Sequence, residues 1–91
     1  MKIEFFTSET CANCKMLKKH LRAVLGEIGE DYDRVVLEKS IENSEVLAEL
    51  LMLNINSVPI IRIGEDIFGW EKLKDRASLK KILMDHKNDF R

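Results

Sequence analysis

Before residue 40 the chain runs from a bulky apolar stretch, through a stripe of helical period, to a second apolar stretch, and this succession restricts the fold most. In Ile3-Glu4-Phe5-Phe6 the adjacent phenylalanines point to opposite faces of a strand and both call for burial, which predicts a central first strand. Leu17, Leu21, Val24, Leu25 and Ile28 then recur at i, i+4, i+7, i+8 and i+11, one face of a helix. Gly26 and Gly29 offer its stop signals. Arg34-Val35-Val36-Leu37-Glu38 reads as a second strand with a continuous apolar middle. Two buried strands separated by such a helix imply a parallel pair joined by a right-handed crossover, so the class is α/β.

Further along, Asn43 or Ser44 suits the cap of a second helix with the stripe Val46, Leu47, Leu50, Leu51 and Leu53, ending in Asn54-Ile55-Asn56-Ser57. Proline has no N–H to give a ladder, so Pro59 marks the start of a third strand, Ile60–Ile63. Gly64-Glu65-Asp66 is a tight turn into a fourth, antiparallel strand, Ile67-Phe68-Gly69. Leu73, Ala77, Leu79, Ile82 and Leu83 predict a third helix, with a break near Ser78, itself a good capping residue. Asp85 to Arg91 is charged and expected to fray. The expected order is βαβαββα, a four-stranded mixed sheet with three helices. Ninety-one residues leave room for a single domain, 1–91.

An apolar fraction of 45% beside 34% charge suits a soluble globular chain rather than a disordered one. The net charge is −1 and acids and bases are interspersed, which argues against nucleic acid or an anionic membrane as partner. Glu4 interrupts the N-terminus before a signal-type apolar region develops, and no run approaches the roughly 18 apolar residues of a membrane span. The expected location is cytoplasmic. In that reducing compartment a lone cysteine pair is a poor structural staple, and a CxxC ring closes too short a loop to stabilise much. A functional pair is expected.

Both cysteines lie in Thr10-Cys11-Ala12-Asn13-Cys14-Lys15, where the strand gives way to the helix. Two thiols one turn apart can close a disulfide ring or together grip a soft metal ion. Cys14 stands three before Leu17 and seven before Leu21, so it falls on the buried stripe. Cys11, at or just before the helix start, faces solvent. Structural zinc needs four ligands, and His20 and His86 sit on helices at no ligand spacing, as ordinary surface histidines. An iron–sulfur cluster shared by two subunits through Cys11 stays open. Glu4 is either a solvated strand residue or a carboxylate held near the thiols.

With CxxC at the first strand-to-helix turn, Val58-Pro59 before the third strand and a hairpin ending at Gly69, the chain resembles the thioredoxin superfamily. It looks most like the small glutaredoxin-like or thioredoxin-like redox proteins. The resemblance implies a thioredoxin-like fold and a thiol-disulfide oxidoreductase without cofactor. Cys11 would be the nucleophile, since unpartnered N–H groups at a helix N-terminus favour a thiolate. Lys15 and Lys18 either add to that field or remain solvated. Cys14 would resolve the mixed disulfide. The same resemblance implies a cis bond at Pro59, packed against the CxxC, and a Val58 backbone that pairs with substrate like an added strand. Trp70 would lie on that rim and touch a partner protein, or else fill the core beneath the last helix. The partners implied are a protein disulfide and, as reductant, a separate reductase or low-molecular-weight thiol.

Departures refine this. Ala12-Asn13 replaces the Gly-Pro of typical thioredoxins and the Pro-Tyr of typical glutaredoxins. Thr10 stands where thioredoxins have tryptophan, and Ser8 where glutaredoxins have a lysine for glutathione. Gly69-Trp70-Glu71 is a reduced form of the glutathione-site glycine pair, so a protein disulfide suits the chain better than glutathione. As an alternative, Thr10 to Cys14 also looks like the loop of heavy-metal-associated domains, which carry Cu(I)-type ions on two thiolates. Those domains usually have Gly-Met before the motif, where this chain has Ser8-Glu9, and their element order is βαββαβ.

Overall fold

The structure is a computed structural model describing residues 3–90. Its strands are β1 (Ile3–Thr7), β2 (Val36–Ser40), β3 (Ile60–Ile63) and β4 (Asp66–Phe68), in one mixed sheet ordered β2-β1-β3-β4. β1 pairs parallel with β2 and antiparallel with β3, and β3 pairs antiparallel with β4. The helices are α1 (Ala12–Glu27), α2 (Tyr32–Val35), α3 (Ser44–Met52), α4 (Trp70–Leu73) and α5 (Arg76–Asp85), followed by a 3₁₀ turn over Lys87–Phe90. Parallel strands cannot be joined by a tight hairpin, and the α1 crossover supplies the needed length.

Strand alternation divides the core. Ile3 and Phe5, with Ile61 and Ile63 opposite them, meet Leu17, Leu21, Val24 and Leu25 of α1 and Leu79 and Leu83 of α5. Each such fully buried side chain contributes about 1.5–3 kcal/mol. On the other face Phe6, Ile60 and Leu50 of α3 form a second, smaller cluster. Both phenylalanines are therefore buried, on opposite sides of an interior strand. Past Ile28, Gly29 takes φ +80°, a left-handed conformation that glycine adopts without a Cβ penalty. The Glu30 N–H then bonds to the Leu25 carbonyl at 2.8 Å and closes the end of α1.

Five α-helices stand among the described residues where three were expected. Arg34 and Val35 are not strand residues. Asp31 accepts the Asp33 N–H at 3.2 Å, and Tyr32 and Val35, three apart, bury together as one helical turn. β2 therefore begins at Val36. The last helical segment breaks at Asp75, which accepts the Ala77 N–H at 3.1 Å, while Ser78 lies inside α5. Gly69 leaves the fourth strand and precedes α4, and the hairpin turns on Gly64-Glu65, with Gly64 at φ +62°. In the charged stretch expected to fray, Asp85 ends α5, Lys87 Nζ donates to the Ile28 carbonyl at 2.6 Å, and His86 Nε2 sits 2.9 Å from Asp66 Oδ2. Arg91 lies outside the described residues.

α3 departs most from its stripe. Only Leu50 is fully enclosed, while Leu47 and Leu51 are 39% and 54% exposed. The sheet face below is apolar only around Phe6 and Ile60. Towards its other end it carries Glu4, whose carboxylate takes Lys39 Nζ at 2.6 Å, and the same ammonium reaches Glu49 at 2.9 Å. Arg62 Nη1 is 3.8 Å from Glu49. The Glu4 hydrogen bond leads in raising Lys39 above its ordinary pKa, against the opposing effect of burial and with Glu49 adding to the rise. Glu4 thus faces α3, away from the face that holds Cys14.

Candidate redox site

The turn from β1 into α1 places the two sulfurs. Cys11 is the N-cap residue, with extended backbone at φ −95° and ψ 109°, and its Sγ accepts the Cys14 N–H at 3.1 Å. A sulfur here fills the place that a serine or aspartate oxygen takes at most helix starts. Cys11 and Cys14 are joined as a disulfide, with Cα atoms 5.2 Å apart. Cys11 is partly exposed, whereas Cys14, on the same helical face as Leu17 and Leu21, is 1% exposed.

The third strand's lead-in borders this pair. The Val58 carbonyl oxygen lies 3.8 Å from Cys11 Sγ, and the Val58–Pro59 peptide bond is cis. Pro59 is buried, and Val58 packs against both core clusters. Trp70 opens α4, partly buried against the same large cluster that Cys11 and Val58 touch. Cys11, Cys14 and Val58 are thus neighbours, and Trp70 shares their core support.

A second flank lies towards β2. A cleft of about 290 Å³ is lined by Thr7, Ser8, Cys14, Lys15, Lys18 and Glu38 among others. Lys18 does not simply lend its charge to the helix start: its Nζ is 3.1 Å from Glu38 Oε2, which also accepts the Tyr32 hydroxyl at 2.8 Å. Burial alone would raise the Glu38 pKa, but the hydrogen bonds from Tyr32 and Lys18 outweigh it and hold the carboxyl below its usual range. Burial first, and then the bond to Glu38, pushes the Tyr32 phenol above its ordinary value. Arg22 lies over the Tyr32 ring at 4.3 Å from its centroid.

Glu42 was missed by sequence reasoning. Its Oε1 accepts the Glu9 N–H at 2.7 Å and its Oε2 the Ser8 hydroxyl at 3.2 Å. The Ser8 carbonyl in turn accepts the Cys11 N–H at 3.3 Å, so Glu42 braces the loop that leads to Cys11. The usable signal was topological. Parallel strands end at the same edge of a sheet, which brings the loops after β1 and β2 together.

No family model matches the chain, and no curated protein matches it. Among the described residues no helix is long and apolar enough to cross a membrane, and no group of three or more His, Cys, Asp or Glu side chains is placed to hold a metal ion. What the site offers chemically is a cysteine pair in its disulfide state, a configuration compatible with redox function.

Proposed function

We propose that the protein is a thiol-disulfide oxidoreductase with a thioredoxin-like fold, acting on protein disulfides in a reducing compartment such as the cytoplasm. The observation that carries this reading is the Cys11–Cys14 disulfide at the start of α1, with one sulfur reachable and its partner enclosed. That asymmetry suits a division of labour. In the reduced protein the Cys11 thiolate attacks one sulfur of a substrate disulfide, and the other substrate sulfur leaves and takes up a proton. Cys14 loses its proton and attacks Cys11 Sγ, expelling the second substrate thiolate, which is protonated in turn. Two electrons pass to the substrate, two thiols are released, and the protein is left oxidised. A separate reductase, or two equivalents of a low-molecular-weight thiol, restores the dithiol.

Backbone near Val58 supports the reading, since a strand-like segment of the partner can lie along it beside Cys11. The chain also follows β2 with α3 rather than with another strand, an order unlike the βαββαβ of the soft-metal carriers.

The reduced protein is expected to accelerate dithiothreitol reduction of insulin, and Cys11→Ser to abolish the acceleration. Cys14→Ser should accumulate a mixed disulfide with partner proteins that excess thiol releases. Unchanged insulin reduction by the Cys11→Ser variant would remove the proposed nucleophile, and with it the reading.

A further inference from the structure

α3 leaves uncovered a set of side chains whose spacing suits burial, and they are not scattered. Leu47, Leu50 and Leu51 join Ile41, Ile55 and Val58 around a mainly apolar cleft of about 140 Å³, with Asn56 and Ser57 completing its wall. No charged side chain takes part in its lining. Val58 belongs to two places at once: it forms part of this wall, and its carbonyl faces Cys11 Sγ at 3.8 Å. Val58 thus separates the cleft from Cys11 by a single residue.

We propose that this cleft is a specificity pocket for one aromatic side chain, of phenylalanine size, carried by the same polypeptide as the disulfide under attack. This rests on the oxidoreductase reading above. Size selects the occupant: an apolar protein cavity of about 150 Å³ admits a benzene ring. Chemistry selects it too: six of the lining side chains are aliphatic and none is charged, so a charged side chain would forfeit its hydration with no countercharge, and Asn56 and Ser57 are the polar members of the wall. Reach sets its position. An extended chain advances about 3.3 Å per residue and returns to the same face at every second one. An aromatic residue within about three positions of the substrate cysteine can cross Val58 while that cysteine is bonded to Cys11. The pocket then adds apolar burial to a recognition mode that backbone pairing alone would leave indifferent to sequence.

The test uses short peptides with a single cysteine, presented as the mixed disulfide with 2-mercaptoethanol. Phenylalanine, alanine or aspartate is scanned from three residues before the cysteine to three after. Bis(2-hydroxyethyl) disulfide, too small to use the cleft, is assayed in parallel. At one position phenylalanine is expected to lower KM about tenfold relative to alanine with kcat unchanged, and aspartate to raise it. Leu51→Asp, at a half-exposed wall position, should erase the phenylalanine preference. Turnover of all peptides with equal KM overturns the pocket and leaves the dithiol reading standing. Loss of turnover for peptides and small disulfide alike overturns both. A monomer–dimer equilibrium that Leu51→Asp abolishes, without any peptide preference, assigns the cleft to self-association and overturns the proposal.

Discussion

At Glu38 a partly exposed carboxylate takes the Tyr32 hydroxyl at 2.8 Å and the Lys18 ammonium at 3.1 Å, beside the wall that encloses Cys14. Both donors favour the charged form and together overcome the burial that opposes it, so the folded pKa lies below the unfolded one, about 4.3. A carboxyl lowered in this way stabilises the fold above its unfolded pKa, and that contribution disappears as pH falls through the folded value. Urea unfolding at about pH 6 and about pH 3 should therefore show a smaller acid-induced loss for Glu38→Gln than for the unaltered protein. Equal losses would mean that the cluster contributes nothing to acid sensitivity. None of this was legible beforehand. The position of Cys14 on α1 followed from the spacing to Leu17 and Leu21, because a helical period is local. Glu38 meets Lys18 and Glu42 meets Ser8 and Glu9 only once β2 has docked beside β1 and α1, and no local pattern announces such a meeting.

Single-turn elements escaped the sequence reading for a related reason. α1 declares itself over several turns, and the four strands are short apolar runs bounded by turn residues. α2 and α4 have four residues each, too few for a period to show. Their boundaries are settled by caps, and several residues nearby have capping side chains. Ser78 has the right chemistry, but Asp75 occupies the place where the backbone turns extended before α5. The two positions give opposite expectations. Asp75→Ala should lose about 1 kcal/mol of unfolding free energy. Ser78→Ala, within the helix, should change it by less than about 0.5 kcal/mol. A reversed ranking would place the true start of α5 one turn later. The α3 stripe was read correctly as a period, but only Leu50 of it is fully buried, since the sheet beneath offers an apolar landing only near Phe6 and Ile60.

For the molecule as a whole, the α/β class, the parallel crossover and the antiparallel β3–β4 pair could be read from the chain, because long apolar segments admit few arrangements. The state of the sulfurs is a property of the entire fold, and it can be measured as one. Folded and unfolded, oxidised and reduced forms make a closed cycle. The difference in unfolding free energy between the redox forms therefore equals the free energy by which folding shifts the potential of the cysteine pair. Closing a ring of this length removes at most about 2 kcal/mol of chain entropy from the unfolded state, which favours the oxidised fold. In the reduced fold the start of α1 offers its unpartnered N–H groups to a Cys11 thiolate, an interaction worth about 0.3–1 kcal/mol on typical surfaces and opposite in sense. The two forms should therefore unfold within about 2 kcal/mol of each other, and the potential should lie within about 45 mV of that of an unfolded CxxC peptide. Urea titration of both forms, with equilibration against a dithiothreitol buffer, measures the two sides independently. A stability gap above about 4 kcal/mol would show that the pair is coupled to the core well beyond the first turn of α1, through the packing of Cys14 against Leu17 and the strands below it.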